Sequence, residues 1–323
     1  SLSPEEARAA FHLGPDARDW KVALAQQDIR DSGPDRRNIA PILYRPFDVR
    51  YTYYTGRSRG FICRPRAEVM RNMLEPNVGL ITRRAMLPGR PCNYVFVCDI
   101  LMSDGVIRSD NRGSESLFPL YEYPDDGGSS RSGRLASLDS RLLLDLSTRY
   151  QLTMDPTQVL AYTYAVLNSH GYQEQYAPML RADFPRVPFP QDAKTFAALS
   201  DLGQQLIDLH LMRSPELDNP ISRFCGHGDS AVGRIAYDAD DQRVYINETQ
   251  YFENVAPDAW SYQVGGYQVL DKWLKSRKHR YLTADETQHY ARVVTAIFGT
   301  KEVQGQIDQL FLTLDIGEAH VKR

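Results

Sequence analysis

Between Tyr44 and Arg66 the chain reads YRPFDVRYTYYTGRSRGFICRPR, in which Arg45, Arg50, Arg57, Arg59, Arg64 and Arg66 are interleaved with Tyr44, Tyr51, Tyr53 and Tyr54. The only acid in the run is Asp48. A guanidinium is a planar fork that grips a phosphate or the edge of guanine through two hydrogen bonds, and tyrosine offers a flat face with a polar tip. That mixture suits a nucleic-acid surface. Lysine is absent from the run, which argues against a face kept charged only for solubility. The competing reading is structural: tyrosines that face a core from a strand, with arginines as their solvated neighbours, because strand alternation yields part of the pattern. Arg83, Arg84 and Arg90, after a β-like segment, add a second basic edge.

A further basic constellation is GGYQVLDKWLKSRKHR, Gly265 to Arg280. Val269, Leu270, Trp273 and Leu274 fall on one face of a short helix and leave Lys272, Lys275, Arg277, Lys278 and Arg280 for the rest of it. A basic helix end beside a Gly-Gly turn can hold phosphates through its side chains and through free amides. The alternative is a lysine-rich, solvated helix end.

Other candidate chemistry fails on context. Phe224-Cys225-Gly226-His227-Gly228 matches the FxGxG that binds S-adenosylmethionine, and Asp218-Asn219-Pro220-Ile221 is similar to the Asn-Pro-Pro-Tyr that holds an adenine amino group. The glycines, however, do not follow a buried apolar strand and open no helix, and the second proline and the aromatic residue are missing. Asp125-Asp126 and Asp238, Asp240 and Asp241 could bind a divalent metal, but they stand where turns favour aspartate for local reasons. Cys63, Cys92, Cys98 and Cys225 lack zinc spacing and read as reduced thiols. No nucleophile, base and orienting group form a set, so neither a catalytic residue nor a metal site is assigned.

The elements that must position the basic residues are legible in the periodicity. Ser3-Pro4-Glu5-Glu6 opens one or two helices within residues 3–29. Strand character dominates at 51–55, 78–83, 93–100 and 116–123. Pro124 to Arg141 is rich in Gly, Ser and charge and reads as a mobile surface loop. Helices are expected over 140–150, 155–169, 172–180, 192–212, 268–276 and 284–312, with a hairpin at 233–237 and 243–247 around Asp238-Ala239-Asp240-Asp241. The order β, α, β, α indicates an α+β architecture rather than a βαβ repeat.

The chain has 323 residues, 42% of them hydrophobic, and a formal net charge of -3. Such a balance excludes a protein that coats nucleic acid indiscriminately. The charge is nevertheless segregated: Pro41 to Arg90 carries ten arginines against Asp48, Glu68 and Glu75, a balance of +7 that leaves -10 for the remainder. No apolar run reaches the roughly 18 residues needed to cross a bilayer. A soluble, cytoplasmic protein with no membrane partner is expected.

Beyond these residue-level readings, YRPFDVRYTYYTGRSRGFICRPRAEVM, LFPLYEYP, YAVLNSHGYQEQYAPMLRADFPRVPFP, VYINETQYFENV and GGYQVLDKWLKSRKHR resemble, in that order, the C-terminal specificity domain of type ISP restriction-modification enzymes. Those enzymes join a nuclease, a helicase-like motor, an adenine-specific methyltransferase and a target-recognition domain in one polypeptide. The resemblance covers about Ile39 to Leu312. It implies a domain that reads a short asymmetric site in double-stranded DNA and presents its adenine to a methyltransferase domain upstream in the same polypeptide. It implies no cofactor in this chain, with S-adenosylmethionine, ATP and Mg belonging to the parent enzyme.

On that reading residues 1–38 are a helical connector, 39–130 a β-rich subdomain with the Arg/Tyr patch, 131–220 a helical region, 221–280 a hairpin plus basic helix, and 281–323 the C-terminal helices and tail. Arg50, Arg57, Arg59, Arg64 and Arg66, with Tyr53 and Tyr54 and flanked by Arg83 and Arg84, are candidates for base or phosphate contact. Lys272, Lys275, Arg277 and Lys278 are expected to hold the backbone on the other side of the duplex. Two rival functions stay open: a protein docking module of a multi-subunit DNA-processing complex, since tyrosine and arginine also dominate protein hot spots, and a stand-alone methyltransferase.

Overall fold

A computed structural model of the chain describes residues 2–17, 19–110, 115–124 and 133–315. Helices α1 (Pro4–Ala10) and α2 (Val22–Ser32) lead into strands β1 (Ile39–Arg45) and β2 (Asp48–Tyr53), the short helix α3 (Ala67–Met70), and strands β3 (Gly79–Arg83), β4 (Val95–Cys98), β5 (Leu101–Met102), β6 (Glu115–Pro119), β7 (Tyr121–Glu122) and β8 (Leu135–Ala136). A helical layer follows: α4 (Ser140–Tyr150), α5 (Pro156–Asn168), α6 (His170–Gln175), α7 (Ala177–Leu180) and α8 (Ala193–His210). Then come β9 (Arg223–Cys225), β10 (Ala236–Asp238), β11 (Arg243–Tyr245), β12 (Tyr251–Glu253), helix α9 (Pro257–Trp260), the hairpin β13 (Gln263–Val264) and β14 (Tyr267–Gln268), and helices α10 (Val269–Lys275) and α11 (Ala284–Leu312). The architecture is α+β, as the element order indicates.

The strands form small sheets. β1 pairs antiparallel with β2 and parallel with β5, β3 lies between β4 and β6, and β10, β11, β12 and β9 make a four-stranded antiparallel sheet. In the β1–β2 pair Ile39, Pro41 and Leu43 stand opposite Tyr53, Tyr51 and Val49, while Ile42 stands opposite Arg50. Period two therefore sends Tyr51 and Arg50 to opposite faces.

Local chemistry sets the helix boundaries. Asp155 accepts the Thr157 amide at 2.9 Å ahead of Pro156 to start α5, and Ser169 ends that helix while accepting the Tyr172 amide to start α6. The helix expected over 172–180 is two, because Pro178 has no N–H to continue the ladder and the chain turns at Tyr176. Residues 3–29 are likewise two helices, separated where His12 takes a left-handed conformation before Gly14-Pro15. Of the loop expected over 124–141, residues 125–132, including Asp125 and Asp126, lie outside the described residues. Its remainder is not loose: Ala136 pairs with Tyr121, and the Arg134 guanidinium sits 3.9 Å over the Tyr121 ring.

One connected hydrophobic cluster runs from Leu43 to Phe311, so the β-rich segment and the helical layer share a core. α5 and α8 touch backbone to backbone at Gly203, where a Cβ would stand 1.9 Å from the Ala161 carbonyl oxygen. Buried His210 joins four elements: its ring stacks on Phe96 at 5.1 Å, its Nδ1 meets the Tyr164 hydroxyl, and its Nε2 lies 3.0 Å from Thr300 Oγ1. Complete burial lowers its pKa to about 3, so it is a neutral strut between the sheet and the helices. Among the described residues no helix is long and apolar enough to cross a membrane.

Candidate nucleic-acid interface

The basic residues fall into groups that the linear order does not separate. On the loop from Tyr54 to Arg66, Arg57, Arg59, Arg64 and Arg66 are all exposed. The loop is fastened to α2 by Asp28, a buried carboxylate that accepts the Thr55 hydroxyl at 2.9 Å and the Phe61 amide at 2.8 Å, and Gly60 leaves room for it. Trp20 Nε1 donates to the Phe61 carbonyl at 3.0 Å from the other side. Arg59 (φ 59°) and Arg66 (φ 46°) occupy the left-handed region, unusual for non-glycine residues, which turns both side chains outward on a fixed backbone. Arg57 and Arg64 rest on Asp31 and Asp19 in pairs open to water. Such exposed pairs are worth about 0–1 kcal/mol, so these guanidiniums are readily transferred to phosphate oxygens.

A second group gathers at the turn end of the β1–β2 pair. The Arg50 guanidinium lies 3.8 Å over the Tyr44 ring, Arg45 lies 4.1 Å from the Tyr44 ring and 5.0 Å from that of Tyr267, and Lys272 Nζ lies 5.6 Å from Tyr267. The two constellations that are more than 200 residues apart in the chain thus meet in one partly exposed stack of cations and aromatic rings. The Lys272 end of the second constellation therefore stands beside the first. Sequence reasoning did not assign Tyr44, Arg45 and Tyr267 to the site; the first two belong to the Arg/Tyr run and the third follows Gly265-Gly266, so the signal was present. At ~3.3 Å per strand residue, the four steps from Arg50 to Tyr54 place this stack roughly 13 Å from the start of the Tyr54–Arg66 loop.

Four of the candidates serve the fold instead. Arg83 is 3% exposed, with Nη1 3.2 Å from Asp110 Oδ2 and its guanidinium over the Tyr94 ring. Arg277 is buried, bonded to Asp48 Oδ1 at 3.0 Å and Glu286 Oε1 at 3.0 Å and stacked 3.5 Å over Trp273. Turning either toward a phosphate would pull a buried, paired guanidinium out of its ion pair and its aromatic contact, so neither arginine is offered to a phosphate. Tyr54 is buried with its hydroxyl on the Pro65 carbonyl. The half-buried Tyr53 donates to the Gly33 carbonyl at 2.6 Å and meets Asn38 Nδ2 at 2.9 Å, fixing the 32–38 segment to β2. Of the others, Arg84 pairs with Asp183 at 2.7 Å on the surface, Lys275 pairs with Asp271 at 2.7 Å, and Lys278 is exposed.

The free amides expected at Gly265-Gly266 are not free. Gly265 N donates to the Asn93 carbonyl at 3.1 Å and Gly266 N to the Ile107 carbonyl at 2.9 Å. Glycine is required there because a Cβ at 265 would lie 2.0 Å from the Ile107 oxygen, with φ at +56°. The hairpin is thereby pinned to the β4 side of the sheet, and Tyr267 donates its hydroxyl to the Arg108 carbonyl at 2.7 Å to hold the stack in place. The glycines of Phe224–Gly228 have a similar cause: the space a Cβ would need at Gly226 is filled by the Thr249 carbonyl oxygen 2.0 Å away, and that at Gly228 by the Gln250 side chain. This turn is packed against its own chain. Asp238 accepts the amides of Asp240 and Asp241 at 3.1 and 3.2 Å, which is turn chemistry, and no group of three or more metal-ligating side chains occurs among the described residues.

The fold is similar to that of DrdV in its complex with DNA (TM-score 0.67, 21% identity, 94% of this chain and 32% of that one). It is also similar to a nuclease-deletion mutant of the Type ISP restriction-modification enzyme LlaGI in complex with a DNA substrate mimic (TM-score 0.61, 18% identity, 92% and 23%). A third similar structure is the ATP-dependent Type ISP restriction-modification enzyme LlaBIII bound to DNA (TM-score 0.62, 16% identity, 84% and 18%). The chain spans a third or less of the length of each. No curated protein matches. Residues 1–303 match the family described as the Type ISP C-terminal specificity domain, and the chain belongs to that family.

Proposed function

We propose that this chain is the target-recognition domain of a type ISP restriction-modification polypeptide and binds double-stranded DNA sequence-specifically. The observation that carries the reading is the convergence of Arg50, Tyr44, Arg45, Tyr267 and Lys272 into one stack, drawn from two basic clusters and positioned by buried ion pairs. Guanidiniums held flat against rings lose little freedom on binding and present their N–H edges to phosphate or guanine. Arg57, Arg59, Arg64 and Arg66 supply a second set of donors on the preorganised loop, with Lys275 and Lys278 as backbone contacts. In the parent enzyme the domain positions a target adenine for methyl transfer. S-adenosylmethionine, ATP and Mg are then used by parts of the polypeptide outside this chain, the methyltransferase domain being its partner.

A protein-docking reading draws on one observation: Ile39, Pro41, Val49 and Tyr51, the last 78% exposed, form an apolar strip on the face of the β1–β2 pair opposite Arg50. Selection of the chain against a randomised duplex pool at two salt concentrations separates the readings. Enrichment of one short asymmetric motif, with affinity falling steeply as salt rises, is the expected result. Salt-sensitive binding without enrichment would reduce the function to backbone contact, and no binding at all would overturn it in favour of docking.

A further inference from the structure

A basic edge of which the sequence singles out only Arg84 and Arg90 lies beyond the hairpin. The segment following β3, residues 84–91, and the segment following α7, residues 181–187, contain Arg84, Arg90, Arg181 and Arg186 against the single acid Asp183, a balance of +3. The fold brings them together although nearly 100 residues separate them: Met86 N donates to the Leu180 carbonyl at 2.8 Å, Ala85 N to the Asp183 carbonyl at 3.4 Å, and Arg84 Nε to Asp183 Oδ1 at 2.7 Å. All four arginines are exposed, and among the described residues Arg90, Arg181 and Arg186 have no ion-pair partner. Arg84 and Arg186 share one electrostatic partner. Asp183 is held below the usual carboxylate range by the Phe184 amide, then by Arg84 and Arg186, while Arg181 acts on the Cys92 thiol and Arg90 on the Tyr94 hydroxyl.

The edge is also rigid and continuous with the stack. Met86 and Cys92 are buried, and Pro88 and Pro91 restrict the backbone between them. Asn93 Nδ2 donates to the Gln263 carbonyl at 2.8 Å, so the segment carrying Arg90 abuts the same hairpin whose other end carries Tyr267. From these observations we infer that Arg84, Arg90, Arg181 and Arg186 form a phosphate-binding edge that follows the DNA backbone away from the Tyr44–Tyr267 stack. The inference rests on the target-recognition reading and extends its footprint to residues from the helical region. The expected ligand is the phosphodiester backbone, not bases: Arg84 already has a carboxylate bound in the geometry that a phosphate oxygen would take, and four cations with one acid provide charge without a shaped recess.

The test is fluorescence anisotropy of the full chain on a mixed-sequence duplex over a salt series, with Arg181→Ala/Arg186→Ala and, to keep the charge, Arg181→Lys/Arg186→Lys. Each lost phosphate contact lowers the slope of log affinity against log salt by about 0.9, so the alanine pair should flatten it by about 1.8 while the lysine pair retains most of it. The motif enriched from a random pool should be the same in all three proteins. An unchanged slope in the alanine pair, with the unsubstituted chain binding DNA normally, would overturn the edge and leave the recognition reading intact. A shifted motif would make these base readers and overturn the backbone assignment; no duplex binding by the unsubstituted chain would remove both.

Discussion

Replacing Arg277 by methionine keeps most of the side-chain volume and removes the charge, which isolates what the guanidinium does. Asp48 is 2% exposed and holds two partners, Arg277 Nη2 at 3.0 Å and Arg50 Nη2 at 3.1 Å, and Arg50 is itself 39% exposed. Breaking a buried pair from one side costs about 3–5 kcal/mol, because the remaining charge stays desolvated. The retained Arg50 contact, and the hold that Arg280 and the Thr283 amide keep on Glu286, place the expected loss near the lower end, about 3 kcal/mol. The assay is urea unfolding followed by tryptophan fluorescence and circular dichroism for the parent chain, Arg277→Met, Asp48→Asn and the double variant. If a stranded Asp48 charge causes the loss, the double variant is less destabilised than the sum of the singles, by about 0.5–3 kcal/mol. DNA binding measured where Arg277→Met is folded should keep its salt slope. A variant as stable as the parent, with the slope reduced by about 0.9, would refute the reasoning and make Arg277 a phosphate ligand.

Two further outcomes follow from the packing. Burial lowers the folded-state pKa of His210 to about 3 and depresses that of His289 as well, whereas an unfolded histidine titrates near 6.5, so the unfolded chain takes up protons first as pH falls. The stabilisation is therefore complete above about pH 6.5 and lost below it, amounting to roughly 2 kcal/mol from His210 by pH 5; His210→Gln should flatten the stability profile between those pH values, and a profile parallel to the parent's would count against it. Gly265→Ala, which drives a Cβ to 2.0 Å from the Ile107 oxygen, should cost about 1–3 kcal/mol and weaken DNA binding by displacing Tyr267 and Lys272, whereas Gly89→Ala, equally left-handed but with open space around it, should cost only local strain. Equal losses in the two variants, in thermal unfolding and duplex affinity, would show that the close approach is unimportant.

Much of this protein is legible in its sequence because the relevant physics is local. The capping residues Asp155, Asp192 and Thr283 act within three positions of themselves, so α5, α8 and α11 start where the pattern places them. The short β-forming runs at Gly79–Arg83 and Val95–Cys98 likewise mark strands that are buried along almost their whole length. The basic residues are a different matter. Arg83 and Arg84 are neighbours of the same type, yet one is interior and paired with Asp110 while the other is on the surface. Arg277 differs from Lys275 and Lys278 only in turning inward to Asp48, 229 residues away. A window of sequence records that a charge is present but not where its counter-charge lies, since pairing across a core is fixed by the packing of distant elements. Composition therefore determined that the chain has arginine-rich, aromatic segments suited to a polyanion. Tertiary structure decided which arginines build the scaffold, which are left to face a ligand, and that Arg45 lies against both Tyr44 and Tyr267, because a buried charge must find its partner wherever the fold brings one.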